Sequence, residues 1–203
     1  MKEKSNFMSE NNIEYQELQI SFHQRSLIKN QKPKCLWFTG LPSSGKTTLA
    51  NEIDKKLYND RKHTFVLDGD NLRCGICSDL NFSEQDRIEN IRRAAEISKL
   101  MFDAGLIVIV SLVSPYKTSR DFARSLFNNE DFYEIYLNTS LDVCEKRDVK
   151  GLYQKARSGH IKNFTGIDSD YEPPLAADIE INTNDLSIND SVDLIFNKIF
   201  NED

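Results

Sequence analysis

The sequence has few cysteines and histidines and no long apolar run. It therefore lacks the features of disulfide-rich secreted proteins, of proteins stabilised by a metal ion and of membrane-spanning proteins. It has four cysteines and three histidines in 203 residues. The cysteines are scattered, and the pair Cys74 and Cys77 has neither a second pair nor histidines at ligand spacing. We therefore expect incidental thiols, not a disulfide framework, a zinc site or a redox motif. The longest apolar run, residues 106–113, is too short to cross a bilayer.

An excess of positive charge is also missing. The formal net charge is −6, whereas a protein that binds the nucleic-acid backbone needs a basic surface. Residues 1–6 lead into no apolar stretch of the signal-peptide type. We expect a cytoplasmic protein with no nucleic-acid partner and no membrane partner, whose length suits one catalytic domain.

The clearest motif that is present is a phosphate-binding loop. Residues 40–47 read G-x-x-x-x-G-K-T, after the apolar run 35–38 and before a stretch of helix formers. In this setting successive backbone N–H groups face a polyphosphate at a helix N-terminus. We expect Lys46 to reach the β- and γ-phosphates of ATP and Thr47 to hold Mg²⁺. The predicted ATP contacts of the loop are Gly40, Leu41, Pro42, Ser43, Ser44, Gly45, Lys46, Thr47 and Thr48.

Short β-rich runs alternate with helical patterns along the rest of the chain. This alternation predicts an α/β fold of three layers, with a mostly parallel sheet between helices. Strands are predicted at 36–39, 64–67, 106–110, 132–137 and 179–181. Helices are predicted at 84–104, 117–127, 142–147 and 188–199, and a first helix carries Leu49, Ile53 and Leu57 on one face.

Two segments depart from this regularity. Residues 1–32 are polar and irregular, which predicts an arm that precedes a domain at 33–203. The arm could be a solvated tail or could pack on a second subunit. Residues 149–171 are basic and contain three glycines. We interpret them as a mobile lid, the alternative being a solvated basic loop.

The cations favour phosphoryl transfer over a GTP-dependent switch. Recognition of guanine usually needs an N-K-x-D-like motif, and the pair Asn197 and Lys198 comes too late and lacks the aspartate. A transferred phosphoryl group spreads negative charge over its oxygens, so the protein must supply positive charge. Lys46, Arg73, Arg87 and the lid cations are candidates.

Five further sequence blocks, taken in order, match the pattern of one known family. They are 68–73 (D-G-D-N-L-R), 82–93 (F-S-E-Q-D-R-I-E-N-I-R-R), 114–116 (S-P-Y), 147–157 (R-D-V-K-G-L-Y-Q-K-A-R) and 161–168 (I-K-N-F-T-G-I-D). Between residues 35 and 183 the chain resembles the adenylyl-sulfate kinase family. The resemblance implies a P-loop kinase fold, a homodimer, and transfer of the γ-phosphate of ATP to the 3′-hydroxyl of adenosine 5′-phosphosulfate, giving 3′-phosphoadenosine 5′-phosphosulfate.

The resemblance also implies roles for individual residues. Asp68 and Asp70 would lie beside the phosphate loop and orient the 3′-hydroxyl, accept its proton or hold Mg²⁺ through water, the division between them being open. The acceptor nucleotide would contact Arg73, Arg87, Asn90 and Lys162, with its adenine between the rings of Phe82 and Phe164. ATP would contact Arg147 and Lys155. Ser114 matches the position of a phosphoserine intermediate, but we expect direct transfer in which Ser114 only assists.

Some positions depart from the family pattern. Residues 42–44 are Pro-Ser-Ser where Ser-Gly-Ser is common, and Cys74 stands where a histidine is common. Two alternatives follow. The acceptor could be a related nucleoside 5′-diphosphate analogue, such as a cytidine diphosphoramidate of surface-polysaccharide modification. The chain could also be a nucleotide-binding module without turnover, although Lys46, Asp68 and Asp70 argue against that.

Overall fold

A five-stranded parallel sheet forms the centre of the computed structural model, which describes Glu14 and residues 16–200. The strand order is β2-β3-β1-β4-β5, and all neighbouring strands pair in parallel. The strands are β1 (Cys35–Gly40), β2 (Thr64–Asp68), β3 (Ile107–Ser111), β4 (Phe132–Leu137) and β5 (Ile179–Ile181). The predicted α/β class and the predicted strands are confirmed.

Helices cover both faces of the sheet. They are α1 (Phe22–Ile28), α2 (Lys46–Asn59), α3 (Gly69–Cys74), α4 (Glu84–Asp103), α5 (Lys117–Ser125), α6 (Leu141–Arg147), α7 (Leu152–Arg157) and α8 (Ile188–Ile199). The long helix α4 begins where the sequence predicts, because the Ser83 hydroxyl accepts from the Asp86 N–H. Among the helices of the described residues, none is long and apolar enough to cross a membrane.

The two apolar layers follow from the alternation of side chains along the strands. Every residue of β1 and β3 is buried. Leu36 and Phe38 face one layer with α2 and α8, whereas Cys35 and Trp37 face the other with α4. Burial on both faces explains why β3 reads as a continuous apolar run in the sequence.

The segment before the sheet contains a helix that the sequence analysis did not predict. The Ser21 side chain caps α1, and Phe22 stacks on Phe102 of α4 with ring centroids 5.0 Å apart. The Gln31 side chain donates to the carbonyls of His63 and Gly105 at 2.9 and 2.8 Å, and accepts from the His63 N–H at 2.8 Å. The irregular arm predicted for 1–32 is therefore wrong for residues 22–28, while residues 1–13 lie outside the described part.

The predicted lid shares a small apolar core with α6. The buried members of this core are Cys144 of α6 and the lid residues Tyr153, Ala156 and Phe164, and Leu41 of the phosphate loop packs against them. Helix α7 lies within this segment and was not predicted from the sequence. The lid therefore rests on the phosphate loop, and its mobility stays a prediction.

A buried ion pair ties the lid to the sheet. Arg120 of α5 donates to the Glu134 carboxylate of β4 at 2.8 Å, and its side chain is 3% exposed. The same guanidinium donates to the carbonyls of Ser114 and Glu172, each at 2.7 Å. Arg120 thus joins β4, the loop after β3 and the residue that directly follows the lid.

We predict that Arg120→Met lowers the free energy of unfolding by about 3–5 kcal/mol, because it leaves the Glu134 carboxylate buried without its main partner. Lys117→Met is the matched control in the same helix, since its pair with Asp121 is exposed. That control should change stability by less than about 1 kcal/mol. Urea denaturation of both variants measures the difference, and equal losses would contradict a structural role for the buried pair.

Candidate nucleotide-binding and active site

The phosphate loop connects β1 to α2 at the carboxyl edge of the sheet. Its two glycines have positive φ angles, +150° at Gly40 and +101° at Gly45. A Cβ atom on Gly40 would lie 2.9 Å from the Leu137 carbonyl oxygen, so only glycine fits there. Ser43 also has a positive φ, +61°, at the position where the motif resemblance favours glycine. The loop therefore holds a curled conformation that suits phosphate binding.

Lys46 is buried inside this loop. Its Nζ donates to the carbonyls of Gly40 and Leu41 at 2.9 and 2.7 Å, and to the Ser44 hydroxyl at 3.4 Å. Burial lowers the pKa of Lys46 to about 8, and the nearby carboxylates of Asp68 and Asp70 partly oppose this shift. An ammonium group among neutral carbonyls is poorly compensated, which favours the arrival of an anionic phosphate.

Thr47, Asp68 and Ser111 bring three side-chain oxygen groups together. The Thr47 hydroxyl donates to Asp68 Oδ2 at 2.9 Å and lies 3.2 Å from the Ser111 hydroxyl. Asp68 Oδ1 accepts from the Asp70 N–H at 3.0 Å, which caps α3. Hydroxyl and carboxylate oxygens are the ligands that Mg²⁺ prefers, so the predicted Thr47 and Asp68 fit this ion. Ser111 was not predicted, because the sequence shows only that it ends a strand.

Asp70 contacts the lid directly. Its carboxylate forms an ion pair with Lys150, which precedes α7, and both side chains are largely exposed. The hydrogen bond to Asp70 raises the pKa of Lys150. Lys150 was noted only as one of the lid cations, but the structure places it on a predicted catalytic carboxylate. The lid and the active-site carboxylates therefore meet at this pair.

Three predicted acceptor-binding residues form one cluster. Phe82 is 52% exposed. The Arg73 guanidinium lies 4.4 Å from its ring centroid and that of Arg87 5.5 Å from it. Two cations beside one accessible ring suit a ligand that combines an aromatic base with anionic groups.

Asn90 lies one turn after Arg87 on α4 and is buried. In the part of the chain that the structure describes, its Nδ2 atom has no hydrogen-bond partner. A buried donor without a partner is costly, so a ligand that accepts from it gains affinity. This is consistent with the predicted nucleotide contact.

Phe164 lies in the apolar core of the lid and is 7% exposed. It meets the ring edge of Tyr153 at a centroid distance of 4.9 Å. Arg87 links it to the other predicted clamp residue, because its Nε donates to the Phe82 carbonyl and its Nη2 to the Asn163 carbonyl. The structure thus brings the two clamp segments to one arginine, and the clamp itself stays a prediction.

Ser114 follows β3 and is 2% exposed, with φ +45°. Its hydroxyl accepts from Trp37 Nε1 at 3.1 Å. The hydroxyl is therefore engaged with Trp37, and the assisting role of Ser114 stays a prediction.

Arg147 reaches the phosphate loop through a residue that the sequence did not indicate. Its guanidinium donates to the Thr183 hydroxyl at 2.7 Å and carbonyl at 2.8 Å, and the Thr183 hydroxyl donates to the Ser44 carbonyl at 3.1 Å. Lys155 and Lys162 are exposed on the lid, and Thr48 is exposed in the first turn of α2. Thr183 lies just past the end of β5, which was its only sequence signal.

A phosphate loop, two carboxylates at the carboxyl edge of a parallel sheet and a basic lid over them define the P-loop kinase class. Structural neighbours of low identity share this fold, including a gluconokinase from Sinorhizobium meliloti at 15% identity with a TM-score of 0.56. The family model described as adenylylsulphate kinase matches residues 32–182. The chain belongs to the adenylylsulphate kinase family.

Several relatives in this family are similar over most of their length. An adenylyl-sulfate kinase from Vibrio cholerae is 54% identical, over 83% of this chain and 79% of the relative. One from Marinobacter nauticus is 50% identical, over 90% and 92%. The structure of the Mycobacterium tuberculosis APS kinase in complex with AMPPNP and APS has a TM-score of 0.79 at 42% identity, covering 83% of this chain and 98% of that one.

We predict that Ser43→Gly raises the free energy of unfolding by up to about 1 kcal/mol, because glycine removes the cost of the left-handed backbone at φ +61°. Ser140→Gly is the control, since Ser140 has φ −61° and no side-chain cap hydrogen bond. It should give no gain. Chemical denaturation of both variants distinguishes them, and a loss of stability in Ser43→Gly would contradict backbone strain at this position.

Proposed function

We propose that this protein transfers the γ-phosphate of ATP to the 3′-hydroxyl of adenosine 5′-phosphosulfate, an early step of sulfate assimilation. The observation that carries the proposal is that the phosphate loop, the two aspartates and the Phe82 cluster share one edge of the sheet. The similarity to adenylyl-sulfate kinases over most of the chain supports this acceptor. ATP would lie in the loop, and the acceptor beside Phe82, Arg73 and Arg87.

The chain supplies several hydrogen-bond donors for the phosphates of ATP. The N–H groups of the loop and the Lys46 ammonium would bind the β- and γ-phosphates, and Arg147 and Lys155 would contact the rest of the nucleotide. Thr47 would hold Mg²⁺, with Asp68 acting through water. When bound, Mg²⁺ would neutralise charge on the phosphate oxygens. Lys46 exchanges carbonyl partners for phosphate oxygens, so its charge is better compensated in the complex.

On the acceptor side, positioning is the main task. Arg73, Arg87 and Lys162 would bind the phosphosulfate, Asn90 would donate to the nucleotide, and Phe82 and Phe164 would flank the adenine. The 3′-oxygen then attacks the γ-phosphorus as the bond to the β-γ bridging oxygen breaks. The proton of the hydroxyl passes to Asp68 or Asp70.

Ser114 is proposed as an assisting residue, with no phosphoserine intermediate. Direct in-line transfer needs only the phosphate loop and the acceptor hydroxyl, so a covalent intermediate adds a step. The engagement of its hydroxyl with Trp37 supports an indirect role, because that bond fixes the loop after β3 next to the phosphate loop. Thr39 strengthens this junction by donating to the Val113 carbonyl.

We also propose a cellular location and an oligomeric state. Consumption of ATP supports a cytoplasmic location. We propose a homodimer, as the family resemblance suggested; a structural neighbour at 24% identity, from Thiobacillus denitrificans, is described as hexameric. The alternative acceptor, a cytidine diphosphoramidate, is not favoured, because the similar proteins bear the name adenylyl-sulfate kinase.

The direct test incubates the protein with Mg·ATP and a panel of nucleoside 5′-phosphosulfates and phosphoramidates, and measures 3′-phosphorylated product. We expect adenosine 5′-phosphosulfate to be the preferred acceptor and Lys46→Ala to be nearly inactive, because the transition-state charge loses its buried cation. Lys56→Ala in the same helix, which pairs with Asp193 on the surface, is the active control. Preference for a phosphoramidate, or an active and folded Lys46→Ala variant, would refute the proposal.

We also predict that Phe82→Ala weakens the acceptor nucleotide but leaves ATP unchanged. A stacked base contributes about 1–3 kcal/mol, so the loss should be roughly 5- to 150-fold in affinity. Phe82 suits this test because its ring is exposed, whereas truncation of the buried Phe164 would also cost stability. Phe65→Ala, at an equally exposed ring on β2, is the control. Calorimetry measures the affinity for each nucleotide separately. An equal loss of affinity for ATP would contradict the assignment of Phe82 to the acceptor site.

A further inference from the structure

Tyr153 touches the two halves of the site at once, although no role was expected of it. It lies on α7 and is 2% exposed. Its hydroxyl donates to the Pro42 carbonyl of the phosphate loop at 2.9 Å. Burial raises the pKa of Tyr153, so the hydroxyl keeps the proton that it donates. The lid is therefore hydrogen-bonded to the segment that would bind the phosphates of ATP.

The Tyr153 ring also contacts Phe164 of the acceptor half. The rings of Tyr153 and Phe164 meet edge to face at 4.9 Å. The backbone at Phe164 is held in place, because the Asp168 carboxylate accepts from the N–H groups of Asn163 and Phe164. The Asn163 carbonyl accepts from Arg87. An unbroken series of contacts thus runs from Pro42 through Tyr153 to Arg87.

A second contact shows how closely the lid follows the loop. Gly166 has φ +91°, and a Cβ atom there would lie 3.0 Å from Leu41 Cδ2. The lid backbone therefore lies close to the side chain of the residue next to Pro42. Leu41 also packs against the apolar core that contains Tyr153 and Phe164, so the phosphate loop and the lid share packing contacts.

We propose that Tyr153 is a positioning residue that couples the two nucleotide sites, so that an ATP analogue in the phosphate loop tightens binding of the acceptor, and the reverse. This rests on the proposed function, which places the acceptor against Phe164 and Arg87. Fixing Pro42 on phosphate binding fixes the tyrosine hydroxyl, and the tyrosine ring fixes Phe164. By thermodynamic linkage both nucleotides must show the same coupling factor.

The test compares Tyr153→Phe with the wild type. This change removes only the hydroxyl and keeps the ring against Phe164. The dissociation constant of adenosine 5′-phosphosulfate is measured by calorimetry with and without Mg·AMP-PNP, and the ratio of the two values is the coupling factor. We expect a factor of at least about 5 in the wild type. Loss of one buried hydrogen bond should reduce that factor by at least about 2-fold, towards one.

The matched control is Tyr58→Phe, whose ring is exposed on α2. It should keep the wild-type factor. A simple loss of stability in Tyr153→Phe would weaken both nucleotides without changing the ratio, so the ratio separates positioning from folding. An unchanged ratio in Tyr153→Phe, or a wild-type factor of one, overturns the coupling while 3′-phosphorylation by the wild type still stands. Absence of 3′-phosphorylation in the wild type overturns the proposed function and the coupling with it.

Discussion

The parallel pairing of β1 with both β3 and β4 is the constraint on which the site depends. Because β1 is central, its residues are buried on both faces and its position is fixed from two sides. Parallel pairing also brings the carboxyl ends of the strands to one edge. Gly40, Ser111 and Asp68 end three strands at that edge, so oxygen ligands and the phosphate loop meet without help from distant loops.

The parts of this structure that the sequence predicts are those with a local cause. The strands are apolar runs, the phosphate loop has its glycines at fixed spacing, and Ser83 caps α4 through a residue three positions away. The short helices α3 and α7 have six residues each, too few for an apolar period to mark them. Helix α3 is capped by the Asp68 carboxylate, and α7 follows Gly151, which has a left-handed conformation. Both are stabilised by contacts that hydrophobic periodicity does not show.

The same distinction applies within the site. Lys46, Thr47 and Asp68 were predicted because each has a motif around it. Ser111, Lys150, Thr183 and Tyr153 contact partners between 36 and 139 residues away, and no local pattern predicts these contacts. Of these, Lys150 and Tyr153 belong to the lid. Its contacts depend on how α6 and α7 pack on Leu41, which is a property of the folded chain.

The Gln31 side chain has a further consequence. Its amide donates to two carbonyls and accepts from one N–H, so it takes the place of a peptide group between the ends of two strands. The Gln31 amide lies where β2 and β3 begin, whereas the phosphate loop lies at the opposite edge of the sheet, where these strands end. At about 3.3 Å per residue, a five-residue strand separates the two by roughly 16 Å. Loss of the Gln31 side chain should therefore loosen the edge of the sheet where the strands begin, while the phosphate-binding edge keeps its own contacts.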